Sequence, residues 1–133
     1  MQRKIKIILL LSHGSPEKHA KQVLVALKNK LSRYLKQRQI IFYLYYAFLQ
    51  FNRPTLSECF DEIIRRYNKH IISVVVLPVF ISHGRHTLSH VPKIIKDIRN
   101  RHKSLRVKVA LPLGSDDLVV KLLVKRYKES IRK

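Results

Sequence analysis

The sequence of 133 residues contains one cysteine, three glycines, no tryptophan and only eight acidic residues. A single cysteine, Cys59, excludes an intrachain disulfide and a thiolate metal cluster, and we expect it to be a small buried side chain. This cysteine content is typical of proteins from a reducing cytoplasm, which is the predicted location. Three glycines cannot build the phosphate-binding loops of dinucleotide-binding or Walker-type proteins, and neither loop motif is present.

A long apolar run is also missing. The run from Ile5 to Leu11 follows a basic start, as in a signal peptide, but it is short and no small-residue cleavage site comes after it. No other stretch approaches the ~20 apolar residues that a membrane span requires. We therefore predict a buried strand at this position and no membrane partner.

Acidic residues are scarce relative to basic ones: 28 Lys and Arg against 8 Asp and Glu give a net charge of +20. Such a charge favours a polyanionic partner, which could be a nucleic acid, an anionic membrane or a polycarboxylate small molecule. The basic residues are dispersed along every predicted helix, as on solvated faces, rather than collected in one tail. A general basic bias in composition explains this dispersion equally well.

Apolar runs alternate with stretches of helical period along the whole chain. This βαβαβαβα order predicts an α/β fold of the flavodoxin-like type, with one domain over residues 1–133 and a mostly parallel four-stranded sheet covered by helices on both faces. The apolar stripe of the first helix is expected to be Val23, Leu24, Leu27, Leu31 and Leu35. The predicted strands are Lys4–Leu11, Ile40–Leu49, Ile71–Ile81 and Val107–Leu111, and the predicted helices are Pro16–Arg38, Pro54–Lys69, Ser89–His102 and Asp116–Arg132.

The first and third predicted strands both end in Ser-His-Gly, as LLLSHGS and VFISHGR. In open parallel sheets, ligands bind beyond the carboxyl ends of the strands where the strand order reverses. For the order 2-1-3-4 that crevice lies between these two strands, so the topology predicts His13 near His83 or His86. Gly14 allows the backbone to approach a ligand closely. Two imidazoles facing one crevice suit a divalent metal and leave coordination positions open.

Other chemistries are less well supported by the residues. Ser12 and Ser15 flank His13, but the Gly-x-Ser-x-Gly motif of a nucleophilic serine is absent. Tyr43, Tyr45 and Tyr46 could stack on nucleic-acid bases, yet on a strand covered from both sides they are more simply core residues. Nucleic-acid binding is therefore an alternative that rests on charge alone.

Four pieces of sequence carry a resemblance to a known family. They are LLSHGS after the first strand, FLQFNRPTLSE after the second, LPVFISHGRHTLSHVP after the third, and LPLGSDD followed by LLVKR near the end. At these residues the chain resembles the class II chelatases, and in particular the short archaeal-type sirohydrochlorin cobaltochelatases and nickelochelatases. The pieces occur in order over nearly the whole chain, and the second and third are the most specific.

The resemblance implies insertion of a divalent metal, Co²⁺ first and Ni²⁺ or Fe²⁺ as alternatives, into the polycarboxylate sirohydrochlorin during tetrapyrrole biosynthesis. The metal is a substrate, with no permanently bound cofactor, and the half-length chain is expected to pair as a homodimer. His13 and His86 become the catalytic metal ligands, and His83 is a possible further ligand. Substrate contacts or support of these ligands are expected from Ser12, Gly14, Ser15, Gln50, Gly84, Arg85 and His90.

The sequence departs from the family pattern at two positions. Gln50 stands where the family has Glu, and an amide cannot accept the pyrrole protons that leave as the metal enters. His90 and Val91 stand in place of the family's Asp-Ile, and a neutral imidazole could serve there as base or ligand. These changes leave open a non-catalytic tetrapyrrole or metal carrier, a degenerate chelatase, as a second alternative.

Overall fold

The computed structural model describes residues 2–82 and 84–132, and for residues 85–88 it describes the backbone without the side chains. Strands and helices alternate along the chain, as the apolar pattern predicts. The elements are β1 (Lys4–Ser12), α1 (His19–Gln37), β2 (Tyr43–Phe48), α2 (Leu56–Tyr67), β3 (Ile71–Pro78), α3 (Arg85–Arg101), β4 (Leu105–Val109) and α4 (Asp117–Ser130).

The four strands form one sheet in the order β2-β1-β3-β4, and each neighbouring pair is parallel. This is the predicted order. Ser12 at the end of β1 lies opposite Phe48 of β2, and Leu11 lies opposite Pro78 of β3. The loops that follow these three strands therefore leave the sheet at the same edge, which we call the carboxyl edge.

Strand β1 is buried on both faces because its side chains alternate between two apolar clusters. Ile7, Leu9 and Leu11 belong to the larger cluster, which also contains the buried residues of α2 and α3. Leu10 points to the opposite face and packs with Leu24 of α1 in the smaller cluster. A nearly continuous apolar run thus fills the centre of the sheet.

Helix α2 begins at Leu56 because its first turn is capped. The Thr55 side chain accepts a hydrogen bond from the Glu58 N–H, and the Glu58 carboxylate accepts one from the Thr55 N–H. This bond from the Thr55 backbone, together with Arg53, lowers the pKa of the Glu58 carboxyl. The cap fixes the end of the loop that connects β2 to α2.

Several predicted boundaries differ from the structure. Strand β2 begins at Tyr43 rather than at Ile40, because the Ile40 N–H bonds back to the Leu35 carbonyl and terminates α1. Helix α3 begins at Arg85 rather than near Ser89. With this earlier start, Pro92 lies inside the helix rather than near its first turn, where proline is better tolerated.

The predicted stripe of α1 is only partly correct. Leu24 is buried, whereas Val23 is 58% exposed and Leu27 is 42% exposed. The tyrosines of β2 were predicted to be core, and Tyr43 is instead exposed, while the Tyr45 hydroxyl lies 3.1 Å from that of Tyr67 at a partly buried position. Amphipathic periodicity identified the helix, but a second apolar face remains uncovered.

Helix α4 has a pronounced apolar composition, yet none of its residues is buried. Its large side chains that face solvent are Leu118, Val120, Leu122, Leu123, Val124 and Tyr127. Among the described residues, no helix combines the length and the apolar content needed to cross a membrane. The predicted burial of Cys59 is confirmed, and burial raises the pKa of its thiol to about 12.

Candidate functional site

The loop after β1 and the loop after β2 are joined by backbone hydrogen bonds at the carboxyl edge. The Leu49 N–H donates to the Ser12 carbonyl over 3.0 Å, and the Gln50 N–H donates to the His13 carbonyl over 3.0 Å. These bonds continue the parallel pairing beyond the strands. They place Gln50, which is exposed, directly beside His13, which is half-buried.

Gly14 occupies a position that a side chain could not share. Its φ is +86°, and a Cβ added there would lie 1.8 Å from the Gln50 carbonyl oxygen and 3.0 Å from Asn52 Oδ1. The group that approaches Gly14 closely is the neighbouring loop, and the predicted approach to a ligand stays a prediction. Gly14 lets the two loops pack in direct contact.

Asn52 is a functional candidate that sequence reasoning missed. Its Oδ1 accepts a hydrogen bond from the Ser15 N–H over 2.8 Å, so its side chain ties the loop after β2 to the loop after β1. The Ser15 hydroxyl accepts from the Glu17 N–H and leads the chain toward α1. The resemblance did include this residue in FLQFNRPTLSE, but the motif alone gave it no role.

His13 is in contact with the chain that follows β3. Its ring centroid lies 4.4 Å from that of Phe80, with the rings tilted by 36°. The Val79 N–H donates to the Leu11 carbonyl over 2.7 Å and holds the two strand ends together. His13 therefore contacts the segment after β3 at Phe80, and its predicted proximity to His83 or His86 stays a prediction.

The predicted residues further along this segment lie partly outside the described part of the structure. His83 is not described, and neither are the side chains of Arg85 and His86. Gly84 is the exposed N-cap of α3. The backbone of His86 is in the first turn of α3, so the expectation that it belongs to a loop is wrong.

His90 lies on α3 and is exposed. It follows His86 by four residues, which is one helical turn, so the two positions share a face of the helix. Among the described residues, no three side chains of His, Cys, Asp or Glu come together as a metal-holding group. Within the described part of the carboxyl edge, the His13 imidazole and the Gln50 amide oxygen are donors that suit a borderline divalent cation.

The basic residues are not concentrated at this edge. A groove at the opposite end of the sheet is lined by cations and contains no acidic residue: Lys4, Arg99, Lys103, Arg106 and Lys108. At the carboxyl edge, Lys18 is exposed and Arg53 pairs with Glu58 over 2.8 Å. The net charge of +20 is therefore spread over the surface and does not mark the candidate site by itself.

Replacing Gln50 with glutamate tests whether residue 50 belongs to the site. Glutamate adds a negative charge next to His13, so Gln50→Glu should bind Co²⁺ roughly tenfold more tightly. Turnover should also rise if proton removal limits the rate. The measurement is Co²⁺ titration by calorimetry, with Gln37→Glu at the far end of α1 as the matched charge control. Unchanged affinity together with unchanged turnover would place residue 50 outside the site.

The sequence profile that defines the CbiX family matches residues 7–130 of the chain. The chain is 31% identical over 132 residues to the sirohydrochlorin cobaltochelatase of Saccharolobus islandicus (strain L.S.2.15 / Lassen #1), and the match covers 95% of this chain and 96% of that protein. It is 26% identical over 125 residues to the sirohydrochlorin cobaltochelatase of Sulfurisphaera tokodaii, covering 94% and 93%.

Solved structures give the same picture of the fold. A CbiX protein from Marinobacter aquaeolei VT8 superposes with a TM-score of 0.71 at 21% identity, covering 95% of this chain and 97% of that one. The sirohydrochlorin chelatase SirB from Bacillus subtilis subspecies spizizenii, in complex with cobalt, superposes with a TM-score of 0.78 at 25% identity. That match covers 94% of this chain and 50% of SirB, so the chain spans half of the SirB length.

Proposed function

The chain belongs to the CbiX family, and on that premise we propose that it is an enzyme that inserts a divalent metal ion into sirohydrochlorin. The observation that carries the proposal is the position of His13 at the carboxyl edge, against the segment that follows β3 and beside Gln50. A strand order that reverses between β1 and β3 makes this edge the expected ligand site.

The metal is a substrate that the protein must hold and then release. His13 and His86 are the proposed ligands, with His83 as a possible third. An imidazole donates one lone pair to a divalent cation, and two imidazoles leave the other coordination positions open to the pyrrole nitrogens of the macrocycle. We propose Co²⁺ as the metal because the relatives from Saccharolobus and Sulfurisphaera are cobaltochelatases. Ni²⁺ and Fe²⁺ remain alternatives, since both accept imidazole ligands.

Insertion requires that the pyrrole N–H protons leave as the dication enters, which conserves the charge of the complex. Gln50 cannot accept a proton, because an amide is not a base near neutral pH. The proton acceptor in this chain is therefore a neutral imidazole, for which His90 is a candidate, or water. The amide oxygen of Gln50 is left to orient water or to coordinate the metal weakly.

The direct test is an anaerobic assay in which the protein and sirohydrochlorin are mixed with Co²⁺, Ni²⁺ or Fe²⁺ and the absorption spectrum is followed. We expect metal insertion to be faster than in the protein-free mixture, with Co²⁺ giving the largest acceleration. Binding of sirohydrochlorin without faster insertion of any of the three metals would instead support the carrier alternative.

A cytoplasmic location, predicted from the single cysteine, stays a prediction.

We also propose that the chain acts as a homodimer in which α4 packs on a second copy. Two apolar faces support this: the whole of α4, which has no buried residue, and the outer face of α1 with Val23 and Leu27. The chain also spans half of the SirB length, as one half of a paired structure would. Burial of these two helices across a two-fold axis would remove the exposed apolar surface from water.

The double variant Leu123→Ser/Tyr127→Ser should dissociate the dimer. Both side chains are exposed on α4 and one turn apart. Each occurs in both subunits of a homodimer, so losing four anchors of about 1 kcal/mol each raises the dimer Kd roughly 1,000-fold. The matched control is Lys121→Ser/Lys125→Ser, which introduces two serines at the same spacing on α4 without removing an apolar side chain. Sedimentation velocity measures the fraction of dimer. If Leu123→Ser/Tyr127→Ser is as dimeric as the control, α4 does not form the interface.

A further inference from the structure

Exposed apolar side chains follow three of the strands at the carboxyl edge, the edge that also holds His13. Phe51 follows β2 and is 66% exposed, Ile81 follows β3 and is 56% exposed, and Leu111 follows β4 and is 89% exposed. With adjacent strands about 4.8 Å apart, the ends of β2 and β4 lie roughly 14 Å from one another across three strand spacings. His13, at the end of β1, lies between these two sides.

Phe51 has an uncommon backbone conformation. Its φ is +67°, in the left-handed region that favours glycine and is rare for a bulky side chain. The Asn52 N–H donates to the Gln50 carbonyl over 2.8 Å, which closes a three-residue turn with Phe51 at its centre. A glycine would adopt this conformation with less strain, so the backbone gives no reason for a phenylalanine here.

Hydrogen bonds to the loop after β1 hold the turn at Phe51 on both sides of this residue. The Gln50 N–H bonds to the His13 carbonyl, and Asn52 Oδ1 accepts from the Ser15 N–H. The aromatic ring is thus presented to solvent on a fixed backbone, one residue from Gln50. A ring held in this way can bind a flat partner without losing much conformational entropy.

The loop after β4 is fixed in a similar manner. The Leu113 N–H donates to the Phe80 carbonyl over 3.0 Å, and the Gly114 N–H donates to the Ile81 carbonyl over 2.8 Å. The carboxyl edge therefore carries two rigid apolar supports, one on each side of His13. Two exposed cations, Lys18 and Arg53, belong to the loops that follow β1 and β2 at this edge.

We propose that Phe51 stacks on a face of the metal-free macrocycle and holds it over His13. Leu111 then supports the part of the macrocycle that lies toward β4. This inference rests on the proposed function. A tetrapyrrole with carboxylate side chains is apolar and aromatic at its centre and anionic at its rim, which complements an apolar surface whose loops also carry cations. Phe51 is then a substrate-binding residue that sets how the macrocycle meets the metal.

Phe51→Gly is the decisive variant because it removes the ring and relieves the left-handed strain at once. We expect the Kd for sirohydrochlorin, measured by absorption without metal, to rise about tenfold, with a similar rise in KM and little change in kcat. The affinity for Co²⁺ alone should be unchanged. The thermal unfolding midpoint should stay within about 3 °C of the parent, because the lost strain offsets the added freedom of the unfolded chain.

Two further variants distinguish the effect of the aromatic ring on sirohydrochlorin affinity from the effect of any exposed apolar side chain. Phe51→Leu keeps an apolar side chain and the strained backbone, so its affinity should lie between those of the parent and Phe51→Gly. Ile41→Gly removes an 82% exposed apolar side chain at the other end of β2 and should leave sirohydrochlorin affinity unchanged.

The inference would be overturned if the Phe51→Gly variant bound sirohydrochlorin as tightly as the parent protein. A change in oligomeric state without a change in affinity would also overturn it, because the ring would then belong to an interface between copies. In both cases the parent still metallates sirohydrochlorin and the proposed function stands. A parent that neither binds nor metallates sirohydrochlorin would overturn both.

Discussion

His13→Ala should lower Co²⁺-dependent turnover by at least about 100-fold while leaving a folded protein. Loss of groups that only orient a metal ligand already costs 10- to 100-fold in metal affinity or activity, and loss of a ligand itself should cost more. The folding cost should be about 1 kcal/mol, because the side chain is half-buried and loses one ring contact, that with Phe80. The same loss of turnover is predicted for His86→Ala.

Turnover, Co²⁺ affinity and thermal unfolding should be measured on the same preparation. His70→Ala is the matched control: its Nδ1 accepts a hydrogen bond from the Arg3 N–H at the opposite end of the sheet, so it removes a histidine far from the site. We expect His70→Ala to retain Co²⁺ affinity and turnover. Full activity in His13→Ala would show that the metal is held elsewhere.

Gly14→Ala should be the most damaging of the three glycine-to-alanine changes in this sequence. The new Cβ would lie 1.8 Å from the Gln50 carbonyl oxygen, and the alanine would have to adopt a φ of +86°. The obstructing atom is backbone, so relief requires the two loops to separate and break the Gln50–His13 hydrogen bond. The left-handed conformation and the lost bond together should cost about 2–4 kcal/mol of unfolding free energy.

Activity of the folded fraction should also fall, by at least about tenfold, because His13 and Gln50 would be displaced relative to each other. For stability alone, Gly84→Ala is the control, since its φ is −83° and an added Cβ meets no atom of the described residues within 4 Å. Urea unfolding of both variants measures the difference in stability. Equal stability of Gly14→Ala and Gly84→Ala would mean that the two loops are not in close contact.

The alternation of apolar runs with helical periods was enough to predict the element order and the parallel sheet. The strand order itself was taken from the flavodoxin-like arrangement, which the structure confirms, and this order predicted that the two Ser-His-Gly ends share a crevice. Element ends were less predictable: α3 begins at Arg85 and contains Pro92, although a proline usually marks the first turn. That shift moved His86 from a loop into a helix and brought it one turn from His90.

Contacts between loops could not be predicted from local sequence. Asn52 and Ser15 are 37 residues apart, and only the parallel pairing of β1 with β2 brings them within 2.8 Å. The conformation of Phe51 depends on the same pairing, since nothing in its own propensity favours a φ of +67°. Pattern-based prediction therefore identified the edge of the sheet at which we propose the site, but it gave no role to Asn52 or Phe51.

The sequence by itself determined the kind of fold and the position of His13-Gly14 at a strand end, because period-2 and period-3.6 patterns are local properties of the chain. Tertiary structure alone decided which apolar faces are covered. Helices α1 and α4 are both amphipathic in sequence, yet α1 buries Leu24 and α4 buries none of its residues. A periodic stripe specifies that a face avoids water, whereas the long-range pairing of strands decides which surface, if any, is close enough to cover it.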